Sequence, residues 1–188
     1  MTKFTFAQRE EGFDNHIEHS IRGYTNLWND VLKYSEYFVE DDTNIVDIGC
    51  STGKLQKAMI LQNTFAPRAN YIGIEVEEDF FGSYDADEKS YTNLSYHRGD
   101  VRGFEFQNCS LITSIFTLQF IQEKERTSII KQIYDGLNPG GAFIFAEKTI
   151  AECPKIHDIR TFTYYDYKRD RIDSFWQNHS FTAFIAIK

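Results

Sequence analysis

Along this chain the apolar residues follow two spacings, and the switches between them outline the elements. From about residue 13 to 38, Ile17, Ile21, Tyr24, Leu27, Trp28, Val31 and Leu32 recur at helical spacing and predict a helical lead-in. Asp41-Asp42-Thr43 closes it with turn chemistry. Asn44–Ile48 is a short apolar run before a glycine, the pattern of a buried strand, and Lys54–Gln62 reads as helix. Further buried strands are predicted over 71–75, 94–97, 111–116 and 142–146. A helix over 123–137 carries Ile129, Ile130 and Ile133 on one face, and Asn138-Pro139-Gly140-Gly141 follows as a turn. The tail predicts an antiparallel hairpin, 174–177 against 180–187, turning at Asn178-His179.

Strands alternating with helices define an α/β chain with a doubly wound, mostly parallel sheet. At 188 residues it is one domain: a helical lead-in (1–42), a core (43–148) and a short tail (149–188). Hydrophobic residues make up 41% of it, enough for a packed core. Twenty Lys and Arg against 28 Asp and Glu leave a net charge of −8, which disfavours a surface built wholly for nucleic acid. The local run Lys168-Arg169-Asp170-Arg171 reads as a solvated helix face. Cys50, Cys109 and Cys153 fit neither a disulfide framework nor a zinc spacing, and His16, His19, His97, His157 and His179 form no ligand set. With no membrane-length apolar run and no signal-peptide core near Met1, the expected setting is the cytoplasm.

The chemistry concentrates at the predicted strand ends. The first strand leads through Asp47 into Gly49-Cys50-Ser51-Thr52-Gly53 and a helix. In doubly wound sheets ligands sit beyond the carboxyl ends of the strands, and glycines there let the backbone approach them. Glu75 ends the second strand, 22 residues after Gly53 and near the offset of a ribose-binding acid. Asp100 follows the third strand in Gly99-Asp100-Val101, placed to accept an adenine amino hydrogen while the next amide donates to the ring. The loop has neither the G-x-G-x-x-G of a dinucleotide site nor a P-loop. A ligand with ribose and adenine but no phosphate fits better, and S-adenosyl-L-methionine is such a ligand.

Asp47 to Gly53, Glu75, Gly99-Asp100-Val101 and Leu137 to Gly141 resemble the successive motifs of class I S-adenosylmethionine-dependent methyltransferases. A narrower resemblance lies in Phe13-Asp14, His19-Ser20-Ile21-Arg22-Gly23-Tyr24, Phe116-Thr117-Leu118-Gln119-Phe120, Glu147-Lys148 and Asp166-Tyr167-Lys168-Arg169. These stretches are similar to the carboxy-S-adenosylmethionine synthases of wobble-uridine tRNA modification, which use prephenate to carboxylate the methyl group of S-adenosylmethionine. The resemblance implies that Tyr24 closes over the methionine end, lined by Gly49, Cys50 and Ser51. Glu75 and Val76 would hold the ribose, where the family has an Asp-Asn pair, and Asp100 and Val101 would read the adenine. Ile115 stands where the family has asparagine, so one polar ligand contact is lost. The family also has an SQKRS-like stretch whose arginine grips the added carboxylate. Here Arg169-Asp170-Arg171 runs almost directly into the predicted hairpin, leaving Arg160, Arg169 and Arg171 as candidate replacements. The implied ligand is S-adenosyl-L-methionine or its carboxy form, the implied assembly a homodimer. Three activities stay open: the family reaction, methyl transfer to a small molecule or nucleic acid, and cofactor binding without catalysis. Glu147 and Lys148 read as a strand-end ion pair, and no catalytic base stands out.

Overall fold

The computed structural model describes residues 12–149, 153–169 and 180–188. Six strands form one sheet: β1 (Asn44–Ile48), β2 (Asn70–Glu75), β3 (Leu94–Arg98), β4 (Cys109–Ile115), β5 (Leu137–Thr149) and β6 (Ser180–Ile187), ordered β3-β2-β1-β4-β5-β6. The first five run parallel, and β6 pairs antiparallel with β5. Strand order reverses between β1 and β4, the switch point where a doubly wound sheet opens a crevice.

Both faces of the sheet are covered, so its central strands read as continuous apolar runs rather than alternating ones. On one face Ile45, Tyr71, Leu111 and Ile144 pack with α1 (Phe13–Ser20), α2 (Tyr24–Ser35), α3 (Lys54–Gln62) and α4 (Tyr84–Ser90), through Phe13, Val31, Met59 and Tyr84. On the other, Val46, Ile48, Ile112 and Phe143 pack with Ile129 and Ile133 of α5 (Glu123–Gly136). A final helix, α6 (Pro154–Arg169), lies between β5 and β6 in sequence.

The single helical lead-in is in fact two helices. They break at Ile21-Arg22-Gly23, where Gly23 takes φ +80°. Ile17, Ile21 and Tyr24 keep helical spacing across the break, so periodicity alone does not expose it. The turn at Asn138 to Gly141 is also different. Leu137 pairs with Cys109, whereas Ala142 pairs with Leu111, so these four residues bulge out of β5 instead of separating it from α5. The expected first hairpin arm, 174–177, lies outside the described residues, and the described partner of β6 is β5. No helix among the described residues is long and apolar enough to cross a membrane.

Candidate functional site

At the end of β1 the amides of Gly49 and Cys50 both donate to the Ile74 carbonyl, at 2.8 and 3.1 Å, so the loop curls over the tip of β2. It then enters α3 through Gly53, at φ +68°. Ser51 also sits at positive φ, +48°. A non-glycine residue in that region is uncommon and concentrates at functional sites. A Cβ added to Gly49 would lie 2.2 Å from the Thr117 hydroxyl. Glycine thus lets the Phe116 to Phe120 segment close against the loop from the end of β4.

The three strand-end acids differ in state. Asp47 is buried, and the one hydrogen bond to its carboxylate among the described residues comes from the Thr113 hydroxyl at 2.7 Å. Burial, reinforced by the nearby Glu75 charge, pushes its carboxyl up to about 7, and no cation offsets this among the described residues. Glu75, also buried, accepts from the amides of Ser51, Val76 and Glu77, each at 2.9 Å. Burial still raises it, because desolvation outweighs those three donors. Its carboxylate therefore ties the tip of β2 to the glycine loop. Asp100 is engaged by Arg102, whose guanidinium and amide both donate to it, and this pairing holds its carboxyl below the usual range. The sequence reading left Asp100 free for adenine and did not foresee this partner.

Behind the loop, the Tyr84 and Tyr96 rings stack at 3.7 Å. The Tyr84 hydroxyl donates to the Ser51 carbonyl and lies 3.5 Å from Cys50 Sγ. Burial drives the Cys50 thiol well up, away from thiolate chemistry. In front, α1 reaches the loop through Asp14, which accepts from the Thr52 hydroxyl at 3.1 and 3.2 Å. Tyr24, at the start of α2, is held neutral by burial and then by the charges of Asp14 and Asp47. Its ring lies 6.3 Å from Phe116, itself at φ +60°. Half-buried Ile115 belongs to the same small apolar cluster. Val101 is in the core beside Ile48 and Ile74, and Val76 is exposed.

Glu147 and Lys148 are not the ion pair the sequence suggested. Neighbouring strand residues point to opposite faces. Glu147 instead accepts from the amides of Leu118 and Gln119 at 2.8 and 3.1 Å, clamping the short 3-10 turn Leu118–Phe120. Burial lifts its carboxyl to about 7. His16 meets the Ser20 hydroxyl and His19 the Asn15 carbonyl, and no metal-holding cluster occurs among the described residues. Of the three arginine candidates, Arg160 is exposed on α6, Arg169 ends that helix, and Arg171 lies outside the described residues. The α6 helix touches the lead-in where the Tyr164 hydroxyl donates to the Ser20 carbonyl at 3.1 Å. Between the α1–α2 break and the ends of β4, β5 and β6 lies a cavity of about 240 Å³ that includes Arg22 and Tyr24. The sequence reading treated Arg22 as part of a motif and overlooked it as a free cation.

A glycine loop at the switch point, flanked by acids at three strand ends, defines a nucleoside-type site on a class I sheet. A sequence profile described as a Methyltransferase domain matches residues 45–141. An S-adenosylmethionine-dependent methyltransferase from Aquifex aeolicus has the same fold, with a TM-score of 0.55 at 13% identity over 81% of this chain and 77% of that one. The chain thus carries a methyltransferase domain, the fold of S-adenosylmethionine-dependent transferases. More narrowly, it belongs to the carboxy-S-adenosyl-L-methionine synthase family. It is 39% identical to the Staphylococcus epidermidis member over 88% of this chain and 71% of that protein. It is 31% identical to the Colwellia psychrerythraea member over 89% and 70% respectively.

Proposed function

We propose that this chain makes carboxy-S-adenosyl-L-methionine, as its family's name implies, and that it takes the carboxyl group from prephenate, as the resemblance of its motifs implies. The observation that carries the ligand assignment is Asp47, a buried acid beside the glycine loop with no cationic partner among the described residues. Burying an unpaired carboxylate is costly, and a cationic ligand such as the methionine ammonium relieves it. S-Adenosylmethionine fits that demand, and its sulfonium supplies the acidified methyl group that is carboxylated. In the proposed reaction a methyl C–H bond gives way to a C–C bond. The proton leaves as water with the hydroxide that prephenate sheds on losing its ring carboxyl and becoming phenylpyruvate.

The residues divide as follows. Gly49, Cys50, Ser51 and Gly53 shape the loop, Glu75 and Val76 face the ribose, and Tyr24 and Ile115 border the methionine end. Asp100 and Val101 take the adenine edge once the exposed Arg102 yields. The product would serve wobble-uridine modification in the cytoplasm. Incubation with S-adenosylmethionine and prephenate, followed by mass spectrometry, tests this reading. The expected outcome is the carboxy product with phenylpyruvate. Methyl transfer with no carboxy product would replace it with the methyltransferase reading.

The same reading extends to a homodimer. Ile156, Ile159, Phe162 and Tyr165 recur every third residue on α6 and stay exposed. Apolar surface of that kind supports association. Light scattering should give about twice the 22.0 kDa chain mass, and a constant monomer over a wide concentration range would refute it.

A further inference from the structure

Beyond β4 the chain turns back on itself at Phe116, which sits at φ +60° although it carries a bulky side chain. Such a residue is an outlier there, and the conformation persists only where its surroundings over-determine it. Here they do. The Phe116 amide donates to the Ala146 carbonyl at 2.8 Å, and the Phe116 carbonyl accepts from the Gln119 side-chain amide at 3.1 Å. The 3-10 turn Leu118–Phe120 follows, and opposite charges grip its two ends. At the amide end the half-buried Glu147 carboxylate takes one donor on each oxygen, Leu118 on Oε1 and Gln119 on Oε2. At the carbonyl end the Arg126 guanidinium donates to the Gln119 and Ile121 carbonyls at 3.2 and 2.9 Å. Acid at the free amides and cation at the free carbonyls is the pairing that the dipole of a helical turn favours.

What this clamp holds is a wall of the site. The Phe116 ring lies 6.3 Å from Tyr24, and both line the cavity beneath the α1–α2 break. Thr117, between Phe116 and the clamped turn, fills the space left open at Gly49. Ala146, the residue before Glu147, packs with Phe116 in one apolar cluster. A carboxylate fixes two amides at once through charge-assisted bonds, which a single neutral acceptor oxygen does not.

We infer that Glu147 is a positioning residue: through the amides of Leu118 and Gln119 it fixes Phe116 against Tyr24 and Thr117 against the glycine loop, and so sets the geometry in which the methyl group reacts. Its carboxylate acts through the backbone rather than on a substrate. The inference rests on the proposed function, which puts the methionine end beside Tyr24.

The test compares kcat and KM for carboxy-product formation from S-adenosylmethionine and prephenate, together with S-adenosylhomocysteine affinity by calorimetry, all on the full chain. Glu147→Gln keeps the volume but offers one acceptor oxygen in place of two. It should lower kcat at least about tenfold, since a misplacement of about 1 Å at a reacting centre costs on the order of a hundredfold. KM and S-adenosylhomocysteine affinity should stay within about threefold of the parent, which also shows that the variant is folded. A merely structural role would lower the melting temperature and leave the kcat of the folded protein unchanged. Glu147→Asp, with the charge kept on a shorter arm, should recover part of the loss. Arg126→Gln, which frees the other end of the turn, should show the same split with a smaller fall, and it carries the test if Glu147→Gln does not fold. Parental kcat in whichever of these two variants carries the test, or a loss confined to affinity, would overturn the inference alone. A parent that binds S-adenosylhomocysteine but makes no carboxy product would overturn the proposed function and the inference with it.

Discussion

Gly53→Val should destabilise the protein by roughly 2–5 kcal/mol and abolish binding at the glycine loop. Two causes add. The backbone at Gly53 sits at φ +68°, where an L-residue costs about 1–2 kcal/mol and a β-branched one more. The new Cβ would also lie 2.0 Å from the Tyr96 hydroxyl. Tyr96 has little room to retreat, since its ring is stacked on Tyr84 and its hydroxyl donates to Asp87 at 3.1 Å. Overpacking of this kind costs about 1–3 kcal/mol. Against a typical total of about 5–15 kcal/mol, the domain stays folded but with a distorted loop. Gly103→Ala is the matched control, because a Cβ there meets nothing within 4 Å. Urea midpoints and S-adenosylhomocysteine titrations of both variants check the expectation. A Gly53→Val protein with parental midpoint and affinity would refute it.

Affinity for S-adenosylhomocysteine should rise with pH up to about 7 and then level off, because the ligand's ammonium needs Asp47 ionised. The sign follows from burial. The folded carboxyl titrates near 7, far above the ordinary aspartate value, so below pH 7 the empty site holds a proton that the cation must displace. Below about pH 6 the dependence approaches a tenfold change per unit, and it flattens as the pH passes 7. Asp47→Asn should flatten this dependence and lower the affinity at pH 8 by about tenfold or more. Stability runs the opposite way. Between roughly pH 4 and 7 the folded state binds more protons at Asp47 and Glu147 than the unfolded chain does, so both acids make the protein less stable as pH rises. Calorimetric titrations and thermal melts across that range separate the two effects. An affinity flat in pH for the parent would show that Asp47 is not the cation's partner.

The bounds of β1 and α3 were legible residue by residue because local signals agree there: an apolar run interrupted only by Asp47, then glycine, then helical spacing. Glu75 was legible because it terminates an apolar run, and Asp47 because it is the one acid inside such a run, a residue before its end. What escaped was information carried by partners distant in sequence or by the direction a side chain takes. The bulge at Asn138 to Gly141 exists because Leu137 finds Cys109, and a turn motif looks the same in either setting. Asp100 looked free because Arg102, only two positions on, gives no sign of which way its side chain turns. Glu147 looked like the partner of its neighbour Lys148, yet its bonds go to a loop at the end of another strand. Helices α4 and α6 were missed. In α6 the apolar stripe faces outward, so its pattern was not matched to the core.

The order β3-β2-β1-β4-β5-β6 has a kinetic consequence. β1 forms early in synthesis and pairs with β2, but its other neighbour is Cys109–Ile115, so the seam waits until that segment has emerged. Parallel pairing across such an interval is slow, because loop-closure entropy is lost before the contacts form. The hydroxyl that meets Asp47 belongs to Thr113 on the late strand, and Thr117, which closes on Gly49, lies just beyond it. A nascent chain can therefore carry the whole glycine loop and still lack half of its pocket. Ligand capture then reports a completed topology, and a variant that slows β4 docking would lose binding during refolding while its early helices formed at normal speed.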